Sequence, residues 1–193
     1  MTSAAIFAYA SLVDPESAAT TLGREVEVAG VARLRGWRRR WTACRDNLRS
    51  EKTFALPEGS LPAHCLGLNI EAAGGNDHGP NGALITVSAP ELERLDLREL
   101  RYRRVDVTAA VDPLPRGIDR AFAYTARPER YAPDPPRDAI VIAAYARFVE
   151  AGFAELGPGE LDLYRRTTDP PPAPVVEAVL VRDRIPPGNP RLW

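Results

Sequence analysis

The sequence predicts a mixed α/β fold of the α+β kind, and three observations carry that expectation. Short runs of apolar, β-branched and aromatic residues recur along the chain with strand character. Three places carry helix-start chemistry: Asp14-Pro15, Ser88-Ala89-Pro90-Glu91 and Asp138. No internal repeat and no shift in composition marks a second unit. Residues 1–193 therefore read as one domain with an irregular tail from about Ile185.

Ala5 to Tyr9 reads as a short buried strand. Asp14 is placed to cap a helix with Pro15 in its first turn, and Gly23 to end it in a left-handed conformation. Glu25 to Val31 and Leu34 to Thr42 read as strands, and Asn47 to Pro62 as a polar loop. Cys65 to Ile70 and Ala83 to Val87 are strand candidates joined by the Gly-rich stretch Ala72 to Gly82. Ser88 and Glu91 have the spacing of a capping box, which starts a helix running to about Leu100. Val105 to Val111 and Ala121 to Thr125 read as strands. Asp138 then caps a predicted amphipathic helix with Ile140, Val141, Ala144, Tyr145, Phe148 and Val149 on one face, ended by Gly157-Pro158. Val175 to Val181 is a last strand.

Composition narrows the function classes. Apolar residues make up 45% and charged residues 26% of the 193, an ordinary mix for a soluble globular protein. The formal net charge of -1 gives no pull toward nucleic acid or an anionic membrane. No apolar run is long enough to span a bilayer. Ala8-Tyr9-Ala10 has the small-residue pattern of a signal-peptidase site, but no basic segment or long apolar stretch precedes it, so the N-terminus reads as mature structure. Two cysteines, Cys44 and Cys65, are too few for a disulfide scaffold and wrongly spaced for a structural zinc site, which suits a reducing cytoplasm. No His/Cys/Asp cluster has metal-ligand spacing.

One helix carries a chemical signal. Leu92 and Leu95 mark the apolar side of the segment after Ser88, and Asp96 and Glu99 fall on or beside the same stripe. A carboxyl group turned toward the interior loses hydration, which favours its neutral form and brings its titration nearer neutrality. Such a group can take and give a proton. Most helical acids are solvated instead, and this segment also carries Glu91, Glu93, Arg94, Arg98 and Arg101. Asp96 reads as structural.

Two segments add a resemblance. Phe7-Ala8-Tyr9-Ala10-Ser11-Leu12 resembles the "Y-G-S-L" or "Y-G-S-N" loop after the first strand of the γ-glutamylcyclotransferase superfamily, with its ChaC and AIG2-like branches. Asn81-Gly82-Ala83-Leu84, followed by Leu95-Asp96-Leu97-Arg98-Glu99 and Tyr102-Arg103-Arg104-Val105-Asp106-Val107, is similar to that superfamily's "G-x-L … L-D-x-x-E-x-x-Y-x-R-x-x-V". Cys65-Leu66-Gly67 and Ala123-Tyr124-Thr125 look like its incoming and later strands, so the likeness runs from about Ile6 to Tyr164. It implies a small β-barrel flanked by helices, with Glu99 as the catalytic proton-transfer residue. It also implies a γ-glutamyl group held by Tyr9, Ala10, Ser11 and Leu12. One position departs from the pattern. Ala10 stands where the superfamily has Gly, so its methyl is either strained, if the loop needs positive φ, or narrows the pocket.

The implied chemistry is cyclisation of a γ-glutamyl group to 5-oxoproline with release of an amine or amino acid, needing no cofactor. The expected partner is a small γ-glutamyl compound, with neither nucleic acid nor membrane, and the oligomeric state stays open. So does the leaving group: a peptide, glutathione, a polyamine or a γ-glutamylated intermediate. Ser11 is either a hydroxyl donor or a turn residue satisfying local backbone. Tyr9 either walls the pocket or fills the core. Tyr102 and Tyr124 read first as core aromatics, with Tyr124 kept as a substrate-binding candidate.

Other signals weigh less. Arg33-Leu34-Arg35-Gly36-Trp37-Arg38-Arg39-Arg40-Trp41 interleaves cations and aromatics as single-strand binders do, yet it reads better as an exposed strand face with Arg packed on Trp. One of its arginines is a candidate for a substrate carboxylate. The Gly74 to Gly82 stretch lacks a phosphate-loop Lys-Ser/Thr and reads as a flexible connection or lid. Two rival functions remain: a non-catalytic binding module on the same fold, suggested by Ala10, and a Cys-dependent acyl-transfer enzyme using Cys44 with His64 or His78.

Overall fold

The computed structural model describes residues 3–74, 79–185 and 189–190. Its elements, in chain order, begin with strand β1 (Ala4–Ala8), helix α1 (Pro15–Leu22), β2 (Gly30–Leu34), β3 (Trp37–Asp46) and β4 (Lys52–Ala55). Then follow β5 (His64–Ala72), β6 (Asn81–Val87), α2 (Ala89–Arg98), β7 (Tyr102–Asp106), β8 (Val111–Asp112) and β9 (Arg120–Ala126). The last are β10 (Ala139–Ile142), α3 (Ala143–Glu155), α4 (Glu160–Arg166), β11 (Val175–Val176) and β12 (Val179–Asp183). The fold is mixed α+β.

Six strands pair in the order β7-β9-β1-β6-β2-β8, four as β11-β10-β5-β3, and two as β12-β4. β1 is central to the first sheet. It runs antiparallel to β6, with Ile6 opposite Ile85, and parallel to β9. The first two sheets curl together into a half-barrel, and side chains bridge the seam between them. Asn69 of β5 accepts the Ala126 N–H of β9 at 2.8 Å, and Tyr102 of β7 donates to the Leu68 carbonyl of β5 at 2.9 Å. Ile6, Phe7, Leu34, Leu68, Ile70, Leu84, Ile85, Val141 and Phe153 fill the interior. Gly82 is required where β6 crosses β1. A Cβ there would lie 2.4 Å from the Ala8 carbonyl oxygen and 2.7 Å from the Phe7 ring.

Local chemistry explains the elements that frame the site. The Asp14 carboxylate accepts the Ser17 N–H at 2.7 Å, Pro15 fills the first turn, and Gly23 closes α1 at φ 73°. The Glu91 carboxylate takes the Ser88 N–H at 2.7 Å and so starts α2.

Several expectations need correction. Glu25 to Val31 is not one strand; the ladder starts at Gly30, where β6 supplies the partner, and β8 joins at Arg33 and Leu34. The loop from Asn47 to Pro62 contains β4, whose partner β12 lies over a hundred residues away, and Asn47 pins it by bonding the Phe54 N–H and carbonyl, each at 2.8 Å. Val105 to Val111 is not one strand: β7 ends at Asp106 and a 3-10 turn, Thr108–Ala110, intervenes before β8. Asp138 caps no helix. Ala139 and Val141 enter the main core while Ile140 and Ile142 enter a second cluster around Phe54, a period-two pattern that makes β10 a strand buried on both faces. The helix begins at Ala143, and Asp138 bonds His64 Nδ1 at 3.0 Å. Val175 to Val181 splits between two sheets. Residues 75–78 of the Gly-rich stretch, His78 included, and most of the tail lie outside the described residues.

Candidate active site

The chain leaves β1 at Ala8 and enters a 3-10 turn, Ser11–Val13, in which the Val13 N–H donates to the Ala10 carbonyl at 2.9 Å. Ala10 has φ -142°, and no non-glycine among the described residues has positive φ. The position therefore does not need glycine's left-handed freedom. What remains of the Ala10 departure is a methyl group in the wall of a small cavity.

On α2 the inward stripe is Leu92, Leu95, Arg98 and Glu99. Leu95 is fully buried, Arg98 is 2% exposed, and the Glu99 side chain, at the helix C-cap, is 14% exposed. Asp96 points outward with 44% of its side chain exposed, which corrects the expectation that it shares the stripe. It accepts the Tyr124 hydroxyl at 2.7 Å and lies 3.4 Å from Arg104.

Arg98 is the hub that joins helix and loop. Its Nε lies 3.1 Å from Glu99 Oε1, and its Nη atoms donate to Ser11 Oγ at 3.2 Å, Ser17 Oγ and O at 3.0 Å each, and Thr21 Oγ1. Burial weakens the hold on its proton, and the Glu99 carboxylate is the main opposing influence. One guanidinium thus fixes Glu99 relative to the 3-10 turn and the first turns of α1.

Two cavities meet at Glu99. The smaller, about 50 Å³, is lined by Tyr9, Ala10, Ser11, Leu12, Glu99 and Tyr124, together with Tyr102 and Tyr145. The larger, about 140 Å³, continues past Ser11, Glu99, Tyr102 and Tyr145 to Arg45 of β3, Lys52 and Phe54 of β4 and Cys65 of β5. Glu99 and the expected substrate-binding residues Tyr9, Ala10, Ser11, Leu12 and Tyr124 all lie on the smaller cavity. Phenols surround the carboxylate: burial pushes the Tyr9, Tyr124 and Tyr145 hydroxyls up, and the negative charge of Glu99 adds to the shift in each. All are therefore neutral hydrogen-bonding groups near pH 7. The Tyr9 hydroxyl donates to the Tyr124 carbonyl at 2.6 Å.

Sequence reasoning missed Arg98, Tyr145 and the cations of the larger cavity. Arg98 was findable, since it lies three residues after Leu95 on the same helical face. Arg45 and Lys52 carried no comparable signal, because only strand pairing brings them to Glu99. The arginines of the Arg33–Arg40 segment line neither cavity. Arg39 is buried against the stacked Phe153 and Tyr164 rings, 4.7 Å from each centroid, rather than packed on Trp at the surface. Arg38 and Arg40 pair with Asp169 and Glu71.

No described hydrogen bond joins a cysteine to a histidine. Cys65 is buried and burial pushes its thiol up, whereas His64, on the opposite strand face, holds Asp138. Among the described residues no group of three His, Cys, Asp or Glu side chains is placed to hold a metal ion, and no helix is long and apolar enough to cross a membrane.

No protein-family model and no curated protein matches the sequence. Solved structures do match the fold. A gamma-glutamyl cyclotransferase superposes with TM-score 0.58 over 91% of this chain and 94% of its own, at 17% identity. Uncharacterized protein loc79017 from Homo sapiens gives TM-score 0.61 over 86% and 87%, also at 17% identity. YkqA from Bacillus subtilis gives 0.54 over 86% of this chain at 19% identity, and the chain spans 54% of that longer protein. The fold is accordingly that of the γ-glutamylcyclotransferase-like proteins.

Proposed function

We propose that this protein is a γ-glutamylcyclotransferase-type enzyme whose substrate is a small γ-glutamyl compound. One observation carries the reading: Glu99, a largely buried carboxylate, lies where two cavities meet and is tied through Arg98 to Ser11 of the loop after β1. The fold shared with a gamma-glutamyl cyclotransferase supports it.

In the proposed reaction the γ-glutamyl group sits against the Tyr9–Leu12 turn with its chain folded so that the α-nitrogen faces the γ-carbon. Ring closure is intramolecular, so holding that conformer supplies much of the advantage. Glu99 accepts a proton from the α-ammonium and frees the nitrogen lone pair. The α-nitrogen forms the new C–N bond, and the bond from the γ-carbon to the leaving nitrogen breaks as Glu99 delivers its proton to that nitrogen. The second proton of the ring nitrogen then passes by way of Glu99 to the departing amine, which leaves as an ammonium. The products are 5-oxoproline and an amine. The N–H groups of Ser11 and Leu12 head the 3-10 turn, where no intrahelical acceptor uses them, and are the proposed donors to the γ-carbonyl oxygen. The negative φ of Ala10 removes the strain argument for a binding-only module.

The test is release of 5-oxoproline, followed by chromatography, from a panel of γ-glutamyl dipeptides and γ-glutamylamines. Turnover dependent on the protein supports the reading. Binding of these compounds with no 5-oxoproline from any of them refutes it in favour of a binding module.

A further inference from the structure

We propose that Arg45 determines the specificity of the larger cavity and selects a leaving group that carries a carboxylate. This rests on the cyclotransferase reading, in which the smaller cavity takes the γ-glutamyl group and the leaving group projects past Glu99 into the larger one.

The charges of the larger cavity are lopsided. Arg45, Lys52, Arg98 and Arg101 line it against a single carboxylate, Glu99. Arg98 is engaged by Glu99 and the Ser11, Ser17 and Thr21 oxygens, and Arg101 is paired with Glu51. Lys52, 6% exposed, forms an ion pair with Asp183 at 3.9 Å. Arg45 has no carboxylate partner among the described residues. Its guanidinium lies 5.0 Å from the Phe54 ring centroid and donates to Asn47 Oδ1 at a long 3.3 Å. Resting on an aromatic face and held by two neutral acceptors, Asn47 Oδ1 and the Cys65 sulfur, it keeps the rest of its planar fork of donors, which matches a carboxylate edge to edge.

The rest of the wall decides what accompanies that anion. Ala43, Phe54, Leu66 and Ile142 are apolar and suit a short aliphatic body. A γ-glutamyl amino acid or dipeptide with a free C-terminal carboxylate meets both requirements. A γ-glutamyl polyamine brings a second cation beside Arg45, Lys52 and Arg101 and is repelled.

The test compares three substrates with matched bodies: γ-glutamylalanine, its C-terminal amide, and γ-glutamyl-1,4-diaminobutane. In the wild type, kcat/KM for the acid exceeds that for the amide by about 10–100-fold, the worth of one charge-assisted hydrogen bond, and the diamine is poorest. Arg45→Gln shrinks the acid-to-amide ratio toward one, and Arg45→Lys restores part of it. Equal rates for acid and amide, or preference for the diamine, overturns the proposal. So does an Arg45→Gln loss that falls equally on acid and amide, which would assign Arg45 to the α-carboxylate shared by all three compounds. If no compound yields 5-oxoproline, the cyclotransferase reading fails separately. The subsite is then read by calorimetry of the acid and the amide on the wild type and Arg45→Gln, where tighter binding of the acid that Arg45→Gln abolishes supports it and equal binding overturns it.

Discussion

Replacing Arg98 with methionine probes the link between fold and site. Methionine has similar length and fills the same space without a donor or a charge. The substitution leaves the Ser17 carbonyl, the Ser11, Ser17 and Thr21 hydroxyls and the Glu99 carboxylate without a guanidinium that now reaches them at 3.0–3.2 Å or closer. Breaking a buried pair by removing one partner costs about 3–5 kcal/mol. Glu99 retains 14% exposure and can recover some hydration, which argues for the lower end. At about 2–4 °C per kcal/mol for a chain of this length, about 3 kcal/mol lowers Tm by roughly 6–12 °C. Calorimetry at neutral pH measures it. A Tm within 2 °C of wild type would show that Arg98 does not tie α2 to the turn, and the account of how Glu99 is positioned would fall with it.

Two further substitutions test other parts of the account. Gly82→Ala places a methyl against the Ala8 carbonyl and the Phe7 ring, forces β6 away from β1, and should destabilise by about 1–3 kcal/mol in denaturant titration; an unchanged midpoint refutes the close approach. Asp106 is held down to about 2, chiefly by the Thr108 hydroxyl and then by Arg120 and the Thr108 N–H. A lowered folded-state value gives stability that is present above the unfolded value of about 3.9 and is lost as pH falls through about 2. Asp106→Asn should therefore melt lower than wild type at pH 7, by a small margin because the side chain is 45% exposed, and the gap should close between pH 4 and pH 2. A gap independent of pH contradicts the assignment.

The parts of the molecule legible in the sequence are those written in local chemistry. Asp14-Pro15 and Gly23, the Ser88–Glu91 box and the apolar run of β1 each specify an element within a few residues, and each stands where its chemistry puts it. Segments whose conformation depends on distant partners were not legible. Lys52–Ala55 carries no alternation because all four side chains are buried, and only β12 makes it a strand. Residues 139–142 fit helical spacing as well as strand spacing, and pairing with β5 and β11 decides between them. The same division runs through the site. Glu99 and the Tyr9–Leu12 turn could be placed from helix periodicity and motif order. Arg45 and Lys52 could not, because the register of β3 on β5 and the pairing of β4 with the distant β12 bring them to the cavity. Asp96 was misplaced because the stripe was counted from Leu92. Counted from the fully buried Leu95, it selects Arg98 and Glu99 and leaves Asp96 outside.

The central claim is that Glu99 moves the proton, and Glu99→Gln tests it most directly. Glutamine keeps the shape and a hydrogen-bonding oxygen facing Arg98 but accepts no proton at neutral pH. The measurement is the rate of 5-oxoproline release from the best γ-glutamyl substrate under saturating conditions, with calorimetric binding of the same compound as the control. General acid–base catalysis contributes about 10²–10⁴-fold, so the account predicts a fall in kcat of that order with binding changed far less. A Glu99→Gln protein that is folded, binds the substrate and releases 5-oxoproline at a rate near wild type would contradict it.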